Sequence, residues 1–239
     1  MSKLEITALN EQYINKSPEA ILEYVFNAFR GDIVFSTSLQ AEDQVLTDMI
    51  CKLDKSAVNF VTLDTGRMFE ETYDILHRTN MRYKINIQAM FPDNKKVEEM
   101  TAEKGINLFY ESVENRKLCC HIRKTLPLQR ALKGHHIWLT GLRRSQSVTR
   151  QDIPMVEWDD YHQIIKINPL INWTYEDIWE YIRTNNVPYH KLHDQGYPSI
   201  GCQPCTRAVS EDEDIRAGRW WWENPESKEC GLHIEKNRK

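Results

Sequence analysis

Residues 33–43 read IVFSTSLQAED, an apolar run followed by three hydroxyl side chains and then by the acidic start of a predicted helix. The apolar run predicts a buried strand, and the apolar positions from Val45 to Leu53 recur at the spacing of one helix face. Where a strand turns into a helix, backbone N–H groups and the helix dipole favour a bound anion. The stretch therefore predicts a strand–loop–helix unit whose loop binds phosphate or sulfate, with an ordinary helix-capping loop as the alternative.

Strands and helices alternate on both sides of this unit. Further strands are predicted at 57–63, 83–87, 136–139 and 161–167, and helices at 17–29, 68–78, 95–104 and 174–184. Strands separated by helices of this length pair in parallel through crossover connections. We therefore expect an α/β fold, a mostly parallel sheet with helices on both faces. Residues 1–185 are expected to form this α/β domain, and residues 186–239 a C-terminal appendage packed on it.

Polar residues follow three of the predicted strands. Ser36 and Ser38 follow the first strand, residues 64–66 the second and Arg143-Arg144 a later one. In an open α/β sheet, ligands bind at the carboxyl ends of the strands. Arginine forks suit phosphate or sulfate oxygens, and a solvated arginine face that includes Arg150 is the equal alternative when these residues are taken alone. Together the three loops predict a site for an acidic ligand.

The composition is typical of a globular protein. The 239 residues include 31 basic and 35 acidic side chains, for a net charge of −4, and 41% of the residues are hydrophobic. The longest stretch without a charged residue is 195–206, whereas a membrane span needs about 20 apolar residues. A slightly acidic chain also lacks the charge for non-specific nucleic-acid binding. We therefore expect neither a membrane nor a nucleic-acid partner, and the polar N-terminus favours the cytoplasm.

Four of the six cysteines form two pairs, Cys119-Cys120 and Cys202-Gln-Pro-Cys205. In a reducing compartment, clustered cysteines are typical of metal ligands or redox centres. Four thiolates suit tetrahedral zinc or an iron–sulfur cluster. Adjacent cysteines point apart in extended chain and fit poorly around a single zinc ion, which favours a cluster. A redox disulfide between Cys202 and Cys205 is the third interpretation, and it leaves the adjacent pair unexplained.

The two remaining cysteines stand alone. Cys51 lies within an apolar helical stretch and is expected in the core. Cys230, near the end of the sequence, is either incidental or a nucleophile whose thiolate is stabilised by cations such as Lys228 or His233. Residues 220–222 are three consecutive tryptophans. They cannot all face one way on a regular element, so we expect at least one to be exposed or covered by a partner.

These motifs together resemble those of the assimilatory sulfonucleotide reductases, in particular the iron–sulfur branch that acts on adenosine 5′-phosphosulfate (APS). The resemblance runs from about Phe35 to His233. It rests on DTG at 64–66, CCHIRK at 119–124, GLRR at 141–144, CQPC at 202–205, RAGRW at 216–220 and ECGLH at 229–233. The loop after the first strand is similar to the pyrophosphate loop of the adenine-nucleotide α-hydrolase (PP-loop) group without its glycines, which argues against ATP pyrophosphatase activity.

The resemblance implies a nucleotide-binding α/β domain and a two-step reaction. The Cys230 thiolate attacks sulfur, expels AMP and becomes an S-sulfonate, and thioredoxin or glutaredoxin then releases sulfite. The implied catalytic residues are Cys230, His233 and Lys124. The implied nucleotide-pocket residues are Ser36, Ser38, Asp43, Leu63 and Gly66, and the implied phosphosulfate ligands are Lys124, Arg143, Arg144, Arg216 and Arg219. One [4Fe-4S] cluster is implied at Cys119, Cys120, Cys202 and Cys205.

Other functions are kept as alternatives. The first is use of the 3′-phosphorylated substrate (PAPS), alone or beside APS, but the branch of the family that reduces PAPS generally lacks the paired cysteines, so we expect a preference for APS. A PP-loop tRNA-thiolating enzyme would show an intact glycine loop and a basic surface, and both are missing. A zinc-stabilised binding module would not need Cys230. A homo-oligomer is compatible with the sequence.

Overall fold

A computed structural model of the chain describes residues 3–146, 150–210 and 212–224. Its strands are β1 (Ile33–Thr37), β2 (Val58–Leu63), β3 (Gln88–Met90), β4 (Ile137–Leu139), β5 (Val156–Asp159) and β6 (Ile164–Ile167). They form one sheet in the order β3-β2-β1-β4-β6-β5. β1 pairs in parallel with β2 and β4, and β4 pairs in parallel with β6, whereas β5 is antiparallel to β6. The expected mostly parallel sheet is confirmed.

The α-helices within the described ranges are α1 (Lys3–Tyr13), α2 (Pro18–Ala28), α3 (Ala41–Asp54), α4 (Glu70–Tyr83), α5 (Asn94–Lys104), α6 (Val113–Cys120), α7 (Leu126–Leu132) and α8 (Tyr175–Asn185). Of these helices, α1 and α2 precede β1, α3 to α7 lie between β1 and β4 in the chain, and α8 follows β6. In the part of the chain that the structure describes, no helix has the length and apolar character that a membrane crossing requires.

Local sequence explains where several helices begin and end. Pro18 occupies the first turn of α2, where its missing N–H leaves no helical hydrogen bond unmade. A reciprocal capping box between Thr174 and Asp177 starts α8. α5 ends at Gly105, whose φ of 79° lies in the region that favours glycine. These three predicted boundaries are confirmed.

The chain divides into two compact units. The first comprises Met1–Thr62, Glu70–Gln88 and Leu132–Lys191, and the second comprises Leu63–Phe69, Ala89–Ala131 and Leu192–Lys239. The first unit has a large apolar core to which β1, β4 and β6 contribute alternate residues, among them Ile33, Phe35, Ile137 and Leu139. The second unit has a smaller core of apolar side chains that includes Leu108, Phe109 and Trp220 and the cysteines of both pairs.

The predicted strand at 83–87 is wrong. Helix α4 continues to Tyr83, Lys84 turns the chain with a positive φ of 50°, and β3 begins only at Gln88. The Tyr83 hydroxyl donates a hydrogen bond of 2.8 Å to the buried Asp48. This tertiary contact holds the aromatic residue on a helix, although its intrinsic preference favours a strand. The antiparallel edge strand β5, at 156–159, was not expected from the sequence.

Candidate functional site

In the first unit, the loop between β1 and α3 folds back on the first turn of the helix. The backbone N–H and the hydroxyl of Ser38 both donate a hydrogen bond to Asp43 Oδ2, and each donor–acceptor distance is 2.5 Å. Leu39 takes a positive φ of 63°, and its N–H donates to Thr37 Oγ1 at 3.0 Å. Because Asp43 lies in the first turn of α3, it ties the loop to the positive end of the helix dipole.

The carboxyl group of Asp43 is buried within this loop. Burial is the largest influence and raises its pKa to about 6, against the opposing effect of hydrogen bonds from Ser38 and from the Gly141 N–H. A Cβ atom at Gly141 would overlap Asp43 Oδ1, so this position requires glycine. Gly141 follows β4, and therefore the carboxyl ends of β1 and β4 meet at Asp43.

Arg143, one of the predicted anion ligands, is buried in the same unit. Its Nε and Nη2 donate to Glu42 Oε1 at 3.1 and 2.6 Å, and its Nη1 donates to Ser145 Oγ at 2.5 Å. Glu42 precedes Asp43 on α3. The guanidinium group is thereby held beside the start of that helix.

The neighbouring arginines have separate partners. Arg144 Nε donates to the Ile153 carbonyl at 3.0 Å, and its Nη1 donates to Asn172 Oδ1 at 2.5 Å. Arg150 Nη1 donates to Gln146 Oε1 at 2.6 Å. Both residues are half-buried.

In the second unit, the four paired cysteines line one pocket. Cys119 and Cys120 end α6, and Cys205 closes a short 3₁₀ turn that follows Cys202. The full lining is Arg67, Phe109, Arg116, Cys119, Cys120, Arg123, Lys124, Cys202, Pro204, Cys205 and Trp220. The structure thus brings together two cysteine pairs that are about 80 residues apart in sequence. Among the described residues, no three His, Cys, Asp or Glu side chains are grouped so that they could hold a metal ion.

A π-helical turn at His121–Thr125 directly follows the adjacent cysteines. Such turns are rare and recur at functional sites. This one carries Arg123 and Lys124, and both line the pocket. Arg123 Nη1 donates to the Thr65 carbonyl at 2.7 Å. The turn therefore places cations next to the thiols.

The Cys202 thiol has a lowered pKa, whereas burial raises the pKa of the Cys119 thiol. Burial acts to raise the first of these pKa values too, but the positive charges of Lys124 and Arg219 and a hydrogen bond with Thr65 outweigh burial. The Thr65 Oγ1 and Cys202 Sγ atoms are 3.2 Å apart. Burial and the neighbouring Cys202 instead raise the pKa of Cys205 to about 12. The pocket thus favours a thiolate at Cys202.

Trp220 lines this pocket, and two arginine side chains make cation–π contacts with its rings. The Arg116 and Arg219 guanidinium carbons lie 4.8 and 4.7 Å from the centroids of its rings. Trp220 is 1% exposed and Trp221 is 39% exposed. The expectation that at least one residue of the tryptophan triplet is exposed is therefore confirmed.

Of the remaining implied site residues, Ser36 lies on β1 in the first unit, and the others lie in the second unit or outside the described ranges. Leu63 ends β2 and is half-buried, and the Gly66 N–H donates to Asp64 Oδ1 at 2.8 Å. Arg216 is half-buried and follows Asp214, whose Oδ1 accepts its backbone N–H at 2.8 Å. Cys230 and His233 lie outside the described residues.

Sequence reasoning did not single out several residues that build these sites. Arg123 stands inside the CCHIRK motif beside the adjacent cysteines, and Thr65 stands inside DTG, so membership of these motifs was the available clue. Arg116 and Glu223 form a buried ion pair across 107 sequence positions, and Trp138 contacts Ser36 across 102. No local pattern indicates such distant partners.

Comparison with known proteins places this geometry in a family. Residues 32–208 match the family described as phosphoadenosine phosphosulfate reductase domain. The chain is 50% identical over 201 residues to an adenosine 5′-phosphosulfate reductase from Allochromatium vinosum, covering 84% of this chain and 78% of the relative. It is 49% identical over 204 residues to the reductase of the same name from Agrobacterium fabrum. The match covers 85% of this chain and 78% of that relative.

Solved structures agree with the sequence comparison. A phosphate complex of phosphoadenylyl-sulfate (PAPS) reductase from Candida auris superposes with a TM-score of 0.75 at 32% identity, covering 87% of this chain and 98% of that structure. An FMN adenylyltransferase from Candida glabrata shares the fold alone, with a TM-score of 0.57 at 16% identity over 98% of this chain and 77% of that structure. The chain belongs to the phosphoadenosine phosphosulfate reductase family.

Proposed function

We propose that the protein is an oxidoreductase that reduces APS to sulfite and AMP in assimilatory sulfate reduction. The observation that carries this proposal is about 50% identity, over more than four-fifths of the chain, to relatives named for that reaction. The pocket lined by four cysteines supports it, since the iron–sulfur branch is the one that the sequence resembles. The PAPS reductase structure at 32% identity favours a second candidate, in which PAPS is also used.

The chemistry assigned to the chain has two steps. The Cys230 thiolate attacks the sulfur of APS, forming a bond between the two sulfur atoms, and the sulfur–oxygen bond to AMP breaks with its electron pair leaving on AMP. A thiolate of thioredoxin or glutaredoxin then attacks Cys230 Sγ, and sulfite leaves with the electron pair. The second thiol of that partner resolves the mixed disulfide, so that the partner is oxidised and Cys230 is restored.

Residues of the first unit are assigned to the nucleotide and its anion. Ser36, Ser38 and Asp43 are assigned to the nucleotide pocket, and Arg143 and Arg144 to the phosphosulfate. Support comes from the Ser38 hydroxyl at the start of α3, where a helix N-terminus favours an anion. Arg143 already donates to Glu42 from Nε and Nη2, so binding of the phosphosulfate would require this guanidinium group to exchange the carboxylate for the substrate anion.

Residues of the second unit are assigned to the sulfur chemistry. Lys124, Arg216 and Arg219 are proposed to stabilise the negative charge of the phosphosulfate, and Leu63 and Gly66 to line the nucleotide pocket. His233 is proposed to accompany Cys230. Segment 186–239 is proposed as the cluster-binding and catalytic tail of the molecule.

A [4Fe-4S] cluster is proposed as the resident cofactor, held by Cys119, Cys120, Cys202 and Cys205. Four cysteines line one pocket, and although no three of their thiols are grouped for a single metal ion, a cluster would offer a separate iron to each thiol. Nearby cations favour the thiolate of Cys202. When bound, the cluster would fix the two cysteine pairs relative to each other without passing electrons to sulfur. The residues themselves hold Lys124 beside Cys202, through the π-helical turn that follows Cys120.

The reaction also implies a setting for the protein. Because the proposed thiol chemistry needs a reducing compartment, we assign the enzyme to the cytoplasm. Thioredoxin is proposed as the transient protein partner, with glutaredoxin as the alternative, and self-association of the chain is compatible with this assignment.

The proposal is tested in a single turnover. Anaerobic protein mixed with APS and no reductant is expected to release about one AMP per chain and to gain one sulfonate on Cys230, because the first step is covalent. Added thioredoxin is then expected to release sulfite. Cys230→Ser is the matched control, since it keeps the four pocket cysteines. An adduct on another residue, or AMP release by this variant, would contradict the mechanism.

The same assay distinguishes the two substrates. A 3′-phosphate adds about two negative charges that need a matching cation, and a missing charge-assisted contact is worth roughly 1.5–3 kcal/mol. We therefore expect kcat/KM for APS to exceed that for PAPS by about ten- to a hundredfold. Equal or reversed values would favour dual use or PAPS reduction.

A further inference from the structure

Trp138 contacts a residue that the proposed function assigns to the nucleotide. Its indole Nε1 donates a hydrogen bond of 2.7 Å to Ser36 Oγ. The register of the sheet fixes this contact, because Trp138 on β4 pairs with Val34 on β1 and Ser36 lies two residues further along the same face. Trp138 is only 1% exposed, so the indole cannot turn towards solvent.

The direction of this bond determines what Ser36 offers to a ligand. An indole N–H only donates, whereas a hydroxyl donates one hydrogen bond and accepts up to two. Since Ser36 Oγ accepts from Trp138, the hydroxyl hydrogen must point away from the indole. Ser36 is half-buried, two residues before the anion loop reaches Ser38. The Ser36 hydroxyl is thereby oriented as a donor, the role that a phosphate oxygen requires.

Neighbouring strands hold the indole in this orientation. Lys166 on β6 is the register partner of Trp138, and its Nζ lies 5.5 Å from the ring centroid. Glu157 on β5 fixes that ammonium group through an ion pair of 2.8 Å. His162 packs its ring against the indole edge-to-face, with centroids 5.2 Å apart. A row of side chains across three strands therefore ends at the Ser36 hydroxyl.

We propose that Trp138 is a positioning residue for nucleotide binding, which orients the Ser36 hydroxyl as a donor to the 5′-phosphate. The inference rests on the proposed function, because that function assigns Ser36 to the nucleotide pocket. The indole-to-hydroxyl bond joins two neutral groups, so its loss is expected to change the dissociation constant by about two- to tenfold. Trp138 contributes to affinity through Ser36, so its effect disappears when Ser36 has no hydroxyl.

The test is a double-mutant cycle with AMP as the probe, measured by titration calorimetry on the full chain. Trp138→Phe is expected to raise the Kd for AMP about two- to tenfold, and Ser36→Ala, which removes a donor to the charged phosphate, about ten- to a hundredfold. In the double variant, Trp138→Phe is expected to add nothing to the effect of Ser36→Ala. Trp158→Phe, on β5 and 36% exposed, is the matched control and is expected to leave the Kd unchanged.

A spectroscopic measurement on the unsubstituted protein covers the case in which Trp138→Phe fails to fold. The ¹H–¹⁵N resonance of the Trp138 indole is expected to shift when AMP is added, and that shift is expected to be lost in Ser36→Ala. Weakening by Trp138→Phe that persists in the Ser36→Ala background, or an indole resonance that AMP does not move, would overturn the positioning role alone. Failure of the unsubstituted protein to bind AMP would contradict the proposed function and the positioning role together.

Discussion

Arg116 and Glu223 form a bidentate ion pair buried inside the second unit. Arg116 Nε and Nη2 donate to Glu223 Oε1 and Oε2 at 2.8 and 2.7 Å, and the two side chains are 0% and 2% exposed. Arg116 lies on α6, one turn before the adjacent cysteines, and Glu223 follows the tryptophan triplet. The pair therefore joins the helix that carries Cys119 and Cys120 to the chain beyond Trp220.

Removing one partner of this pair is expected to be costly. Glu223→Gln leaves the Arg116 charge buried without its counter-ion, and the free energy of unfolding is expected to fall by about 3–5 kcal/mol. Urea denaturation monitored by tryptophan fluorescence measures the change. The Arg207–Glu213 pair, whose side chains are 39% and 32% exposed, provides the control, since solvent partly screens it and Glu213→Gln is expected to have a smaller effect. A similar loss in both variants would contradict the importance of burial.

The cluster assignment predicts different outcomes for the cysteines. Replacement of any one of Cys119, Cys120, Cys202 or Cys205 by Ser is expected to abolish visible absorbance, because the cluster needs all four thiolates. The unsubstituted protein, purified anaerobically, is expected to hold about four irons and four sulfides. Cys51→Ser is the control: Cys51 lies on α3, and burial raises the pKa of its thiol to about 12. Bound zinc with no visible absorbance would refute the assignment.

A side chain at position 141 is expected to destabilise the protein. Gly141→Ala places a methyl group on Asp43 Oδ1, and the resulting overpacking is expected to cost about 1–3 kcal/mol of stability and to weaken AMP binding. The combined variant Gly141→Ala, Asp43→Ala removes the overlap, so the alanine at 141 is expected to cost less in that background. Thermal unfolding and AMP titration report the two effects. Full AMP affinity in Gly141→Ala would show that this contact does not shape the loop.

Asp43 is expected to make stability depend on pH. Because its folded-state pKa is raised to about 6, the folded protein binds a proton at pH values where the unfolded chain has already lost it. The stabilisation from Asp43 is therefore present below pH 4 and is lost as the pH rises towards 6 and above. The change is on the order of 3 kcal/mol.

Asp43→Asn is expected to remove this dependence. The difference in unfolding free energy between the two proteins is the quantity to follow, measured by urea denaturation at intervals between pH 4 and 7.5. As the pH rises, the unfolding free energy of the unsubstituted protein is expected to fall relative to that of the Asn variant. A difference that stays constant across this range would show that the buried carboxyl titrates normally.

The sequence predicted those features that depend on local pattern. The strand–loop–helix at 33–54 follows from apolar periodicity, and the boundaries of α5 and α8 follow from glycine and a capping box. The two cysteine pairs could be assigned to one common site from residue type alone, because cysteines at this spacing have few roles in a reducing compartment other than metal binding or redox chemistry.

Features that depend on long-range contacts could not be predicted in this way. Nothing near Arg116 indicates that its partner is Glu223, and a buried strand at 137–139 does not reveal that Trp138 donates to Ser36. Tyr83 was assigned to a strand because its intrinsic preference was considered without its hydrogen bond to Asp48. Tertiary contacts override such preferences when they bury a polar partner.

A π-helical turn at His121–Thr125 lies between the adjacent cysteines at the end of α6 and the packed helix α7. In an uninterrupted α-helix, the direction of the cysteines would fix the packing face of α7. Successive side chains of an α-helix are about 100° apart around the helix axis. The one extra residue in the wider π-helical turn therefore offsets the side chains of α7 from those of α6 by about 100°. Deleting one residue there would restore a regular helix and move either the cysteines or the packing face of α7 out of place. The direction in which Cys119 and Cys120 point is therefore offset from the packing face of α7 by the turn between them.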